Sequence, residues 1–243
     1  MAKIRKICTA GPLTIESIYT AYSPRDGFVA RAEKKKLSSD AQQWQNLKNA
    51  YQKLELQLAA NIRPGDWAMC LTYRPERRPK DRAAAQKDIT AFLRKLRARR
   101  GGDWCYFYRL EHKHKNGTNY HFHLYLTSGP ETGDDIHRLW GNGEIEYIKK
   151  IAITSEQTYE RLARYMVKEH PDKLGHHLWE HSRGLKKPEI DRIWLPDDAD
   201  ISVPPGCVLL NEVTGSRSIY GSYHSIKFMA LPNPADAELS CRS

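Results

Sequence analysis

Apolar residues recur along this chain in two rhythms, and the switching between them predicts the elements. Leu47, Tyr51, Leu54 and Leu58 stand at helical spacing, so a helix runs from about Ser38 to Ala60. Ser38, Ser39 or Asp40 caps it, and Asn61-Ile62-Arg63-Pro64-Gly65 ends it. Trp67, Met69, Leu71 and Tyr73 then alternate as one face of a strand. Ala85, Ile89, Phe92, Leu93 and Leu96 form the stripe of a second helix, whose last turns carry Arg94, Lys95, Arg97, Arg99 and Arg100. Strands follow at Trp104 to Glu111, Tyr120 to Thr127 and Glu144 to Ile151, with a turn over Lys113 to Asn119 and a short helix over Asp134 to Trp140. A last helix extends from about Ser155 to His170, with Thr154 and Gln157 as a capping box and Tyr159, Leu162, Ala163, Met166 and Val167 as its apolar stripe. This succession predicts an α+β fold: a central antiparallel sheet with helices packed on one face, a variant of the ferredoxin-like plan.

The punctuation of the chain divides it into three. Residues 1–62 read as a basic N-terminal extension, irregular over its first 36 residues and ending in the first helix. Residues 63–190 form the central domain. Residues 191–243 read as a C-terminal extension of short strands broken by Pro196, Pro204-Pro205-Gly206 and Gly215.

Two histidines interrupt the strand Tyr120 to Thr127. Period two puts Tyr120, Phe122, Leu124 and Leu126 on one face and His121 with His123 on the other. Neutral imidazoles fixed side by side suit a metal ion, while an isolated pair of this kind reads more readily as two solvent-facing histidines. On the last helix Arg161, Arg164, Tyr165 and Lys168 make a cationic stripe opposite the apolar one. Cations near a phenol favour its phenolate and hold phosphate oxygens, which suits a tyrosine attacking a phosphodiester; the plainer alternative is a rim tyrosine over a solvated basic face. His112 and His114, between lysines in the turn, read as exposed. His170, His176, His177 and His181 make a looser cluster with no glutamate where a zinc protease motif needs one.

Taken together, His121-Phe122-His123 and Tyr165-Met166-Val167-Lys168 resemble the HUH endonucleases, in particular the single-tyrosine rolling-circle replication initiators of small single-stranded DNA phages and plasmids. Ala68-Met69-Cys70-Leu71-Thr72-Tyr73 is similar to their hydrophobic first motif, and histidines before tyrosine is their order. The resemblance spans roughly residues 66–190 and makes 63–190 the endonuclease domain. It implies a metal site on the uncovered centre of an open-faced sheet, with His121, His123 and an acidic third ligand. Glu111 resembles that ligand, although a two-residue turn at Asn116-Gly117 would set it opposite Phe122, so a bulge or longer loop is required. A competing reading pairs Glu111 with Lys113 or Lys115. The family uses Mg²⁺ or Mn²⁺, and two imidazoles with a carboxylate also suit Zn²⁺. Tyr165 would nick an origin, keep a 5′-phosphotyrosine, free a 3′-hydroxyl and later rejoin the strand, with Lys168 steadying the transition state. Arg161, Arg164, Arg183, Lys186 and Lys187 would contact DNA phosphates. Two other readings are a single-tyrosine transposase of the same superfamily and a non-catalytic binder of single-stranded nucleic acid.

Composition bears on partners. The 243 residues hold 39 Lys+Arg against 29 Asp+Glu, a net charge of +10, which favours a polyanion such as single-stranded DNA. Five scattered cysteines with no Cys-x-x-Cys pair read as reduced thiols, and no apolar run nears the roughly 20 residues a membrane span needs. The expectation is a cytoplasmic protein, in the host cell if phage-encoded, with no membrane contact. No glycine-rich loop of the Gly-Lys-Ser/Thr type is present, so polymerase and helicase would come from the host.

Overall fold

The computed structural model describes residues 3–20, 40–101, 104–113, 119–167, 178–196, 199–217 and 221–230, which divide into two units. Unit 2, residues 61–153 and 161–185, carries the predicted succession. Its strands are β3 (Trp67–Leu71), β4 (Tyr106–Lys113), β5 (Asn119–Leu126), β6 (Ile145–Lys150) and β7 (Glu180–His181), in the spatial order β6-β3-β5-β4-β7, every pair antiparallel. Helix α2 (Arg82–Arg100) starts at Asp81, whose carboxylate accepts the Ala84 N–H at 2.7 Å, and α3 (Gly133–Trp140) starts in a capping box between Thr132 and Asp135.

One face of this sheet is packed as the periodicity predicts. Ala85, Ile89, Phe92, Leu93 and Leu96 of α2 are its buried residues, and they meet Met69, Leu71, Phe122, Leu124 and Leu126 in one core. Trp140 closes it from α3, edge-on to Tyr73 at 5.2 Å and to Phe92 at 5.7 Å, with its indole N–H donated to Thr72 O at 2.8 Å. Arg100 departs from the expected solvated basic stripe. It is buried with Glu131, each side chain 3% exposed and the closest contact 2.8 Å.

The opposite face is also covered, by α4 (Tyr159–Met166). Tyr125 Oη donates to Leu162 O at 3.1 Å, and Arg109 Nη1 donates to Met166 O at 3.0 Å. Helices therefore lie on both faces, which corrects the expected arrangement of helices on one face with the other open. The reason lies in the odd-numbered positions of β4 and β5. Phe107 and Tyr125 point to the second face and would strand large apolar area in water without a cover. Helix α4 also begins later than predicted: Thr154 accepts the Gln157 N–H at 2.9 Å, but this cap closes a turn, and the helix starts at Tyr159. Its apolar stripe is as expected, with Tyr159, Leu162, Ala163, Met166 and Val167 all buried.

Unit 1, residues 1–60, 154–160 and 186–243, joins the two ends of the chain in one sheet. Strands β1 (Lys3–Ala10), β2 (Leu13–Thr20), β8 (Glu189–Leu195), β9 (Cys207–Arg217) and β10 (Gly221–Ala230) lie in the order β8-β1-β2-β10-β9, all antiparallel. Residues 3–20 are thus a hairpin, not the irregular tail expected. Their basic residues mask the alternation, and their partners lie about two hundred positions away, beyond any local signal. Gly11 turns the hairpin at φ +55°, where a Cβ would stand 2.2 Å from Ala59 O. Helix α1 (Asp40–Asn61) buries Leu54 and Leu58 fully and meets this sheet where Ala59 approaches Gly11. The α+β class holds, as two five-stranded sheets and four α-helices among the described residues instead of one central sheet; this order does not establish the ferredoxin-like plan.

A buried cation holds α1 to the sheet. Lys227 Nζ reaches both Glu55 oxygens at 3.1 and 3.0 Å and Glu160 at 2.6 Å, with the Glu55 side chain only 2% exposed. Removing the lysine takes the cation at 3.0 Å away from a buried carboxylate, so Lys227→Met should cost about 3 to 5 kcal/mol in urea unfolding, and adding Glu55→Met should recover most of it.

Candidate active site

Registers settle which residues meet. In the β4–β5 ladder Glu111 lies opposite His121 and Arg109 opposite His123, and residues directly opposite point to the same face. The ladder continues to Lys113 opposite Asn119, so five residues link the strands. This longer connection, instead of a two-residue turn, brings Glu111 onto the histidine face. Glu111 Oε2 stands 2.7 Å from His121 Nε2 and 3.1 Å from His123 Nε2, and the two imidazoles meet edge-on at 5.1 Å. The alternative partners of Glu111, the Lys113 side chain and Lys115, lie outside the described residues.

Hydrogen bonds from His121 and then His123 outweigh burial and hold the Glu111 carboxyl well below the usual carboxylate range. One ionised oxygen and two imidazole nitrogens thus converge, all within 4.8 Å of one another. The histidines are 5% and 6% exposed, so they are not the solvent-facing pair of the plainer reading. His123 Nδ1 is buried with no hydrogen-bond partner among the described residues. Two borderline nitrogen donors and one hard oxygen fit a divalent cation, and this set does not by itself choose among Mg²⁺, Mn²⁺ and Zn²⁺.

Tyr165 comes to the same place from α4. Its ring centre lies 5.1 Å from that of His123 and 6.4 Å from that of Tyr147 on β6. Burial, then a hydrogen bond with Tyr165, pushes the Tyr147 phenol far above its ordinary value, so Tyr147 keeps its proton. Burial raises Tyr125 likewise, with the Tyr165 charge adding to it. Arg161 and Arg164 are exposed on the same helix. Arg183 is exposed in unit 2, and Lys186 and Lys187 are exposed in unit 1.

Lys168 lies outside the described residues, as do His114, His170, His176 and His177. His112 is half-buried in β4 and stacked on Tyr120 at 4.4 Å, not exposed in a turn as expected, because the strand runs two residues further than the sequence suggests. Sequence reasoning also missed Arg109 and Tyr147. Arg109 Nη2 stands 4.0 Å from Glu111 Oε1 while its other nitrogen holds the end of α4, and its position two before Glu111 was the available signal. Tyr147 had no such signal, since its strand is separated from β5 by β3.

Residues 66–170 match the model of a family described as Replication-associated protein ORF2. The match spans less than half of the chain, has Glu111, His121 and His123 gathered inside it, and agrees with the resemblance read from the sequence. No curated protein and no solved structure matches the chain. No helix among the described residues is long and apolar enough to cross a membrane.

Proposed function

We propose that the chain is a single-tyrosine initiator that nicks a DNA strand at an origin and later rejoins it. The observation that carries this is the Tyr165 ring 5.1 Å from His123, an imidazole that shares the Glu111 carboxylate with His121. A divalent cation held by Glu111, His121 and His123 would neutralise charge developing on the scissile phosphate.

The side chains supply the rest. Tyr165 Oη bonds to phosphorus as the P–O3′ bond breaks; the phenolic proton passes to solvent, and the departing 3′ oxygen takes one up. The products are a 5′-phosphotyrosine and a free 3′-hydroxyl that a host polymerase can extend, and attack by a 3′-hydroxyl on the phosphotyrosine rejoins the strand. Tyr147 steadies the Tyr165 phenol through their hydrogen bond. Arg109 ties α4 to β4 and so keeps Tyr165 over the histidines. Lys168, three residues beyond Tyr165, assists protonation of the leaving oxygen or steadies the transition state. Arg161, Arg164 and Arg183 hold flanking phosphates.

A plain nucleic-acid binder has no use for two buried imidazoles converging on a carboxylate. A transposase shares the chemistry, and the replication-associated family favours the initiator. Incubating the protein with origin-bearing single strands and Mn²⁺ should give a covalent adduct that chelation prevents. Affinity for non-cognate strands should fall steeply with salt. Arg164→Ala should lower the slope of log affinity against log salt by about 0.7, the share of one phosphate contact on a single strand; an unchanged slope would remove Arg164 from the interface.

A further inference from the structure

Unit 1 carries a surface that the nicking chemistry does not use. Its registers set Trp194, Ile4, Tyr19 and Tyr223 in one row across β8, β1, β2 and β10, and Arg192, Lys6, Ser17 and Ser225 in the next. Strands stand about 4.8 Å apart, so the first row spans about 14 Å. The strand carboxylates Glu16, Glu189, Asp191 and Glu212 all fall on the opposite face by the same registers. Glu55 and Glu160, which approach the aromatic face from α1 and the start of α4, are engaged by Lys227. The face is therefore aromatic and cationic.

Two of its three aromatic groups lie open, and Tyr19 between them is half-buried. Trp194 is 68% exposed and Tyr223 39%. Tyr223 lies opposite Gly215, where a Cβ would stand 2.6 Å from the ring, so the glycine leaves the room on β9 that the tyrosine ring takes. Further along the same face a cleft of about 610 Å³ runs between α1 and β1, β2 and β8. Lys6, Lys53 and Lys187 line it with Asn49 and Gln52, and no carboxylate does.

Exposed π faces beside cations match the chemistry of unpaired bases on a phosphate backbone, whereas a duplex keeps its base faces stacked. We propose that this face of unit 1 is a binding track for single-stranded DNA. Bases stack on Trp194, Tyr19 and Tyr223, and phosphates pass Lys6 and Arg192 towards Lys187 in the cleft. The choice of DNA follows the family; the track does not require Tyr165 to be a nucleophile.

The test uses the full chain carrying Tyr165→Phe, so that binding is read without cutting. Anisotropy of a labelled oligothymidylate of about 16 nucleotides, the upper site size of one single-strand-binding fold, gives affinity against salt. Adding Trp194→Ala should weaken binding at least about fivefold. Adding Lys6→Ala with Arg192→Ala should lower the salt slope by about 1.4. Neither change should alter nicking at saturating origin strand when Tyr165 is restored. Unchanged affinity and slope in both variants would overturn the proposal. So would Trp194-dependent binding to phosphatidylserine vesicles by a protein whose oligothymidylate affinity is indifferent to Trp194, since that marks a membrane surface. A failure to nick in the Tyr165 protein, with the binding effects intact, would count against the initiator reading alone.

Discussion

His121→Asn and His123→Asn should each slow nicking by about 10²- to 10³-fold, the scale set by removing one preorganised charge-stabilising group at a reacting centre. Asparagine is the right replacement because these imidazoles are buried. From the sequence alone, alanine reads as harmless, since both side chains leave the apolar face of their strand. In the fold both are buried, the His123 ring against Tyr165 of α4, so truncation opens a cavity and costs stability as well as metal. Isothermal titration with Mn²⁺ should show binding by the unmodified protein and loss of it in both variants, with thermal unfolding still cooperative. Undiminished nicking by either variant would refute the metal assignment. Intact metal binding with lost nicking would mean that the histidine serves Tyr165 directly.

Tyr165→Phe should reduce the covalent adduct to background while leaving strand affinity nearly unchanged. Phenylalanine keeps the ring beside His123 and removes only the hydroxyl and its hydrogen bond with Tyr147. Tyr159→Phe should nick normally. Tyr159 is buried on the row of Leu162, Ala163 and Met166, whereas Tyr165 is half-buried and stands on the row of the exposed Arg161 and Arg164. Tyr147→Phe is the informative control, because a positioning role predicts a reduced rate of adduct formation with the adduct still on Tyr165.

How much of this was legible beforehand depends on the range of each interaction. The α2 stripe, the β3 alternation and the α4 stripe are set by neighbours three, four or two residues apart, and they appear in the fold as the sequence predicts. His121 and His123 were legible for the same reason. Glu111 was found by type and strand, but its register hung on the length of a connection that composition does not fix. The second sheet was not legible, since β1 and β2 pair with β8 and β10 from the far end of the chain. Nor was the cover over the histidine face. That cover follows from Phe107 and Tyr125, which look like site-face residues until their burial demands a helix above them.

The central claim is that one tyrosine, placed by α4 beside the Glu111, His121 and His123 cluster, becomes joined to DNA. The most direct measurement is peptide mapping by mass spectrometry of the protein–DNA adduct formed with an origin-bearing single strand and Mn²⁺. The account predicts a phosphonucleotide on the peptide containing Tyr165 and on no other tyrosine. A phosphonucleotide on Tyr147, Tyr159 or any other residue would contradict it.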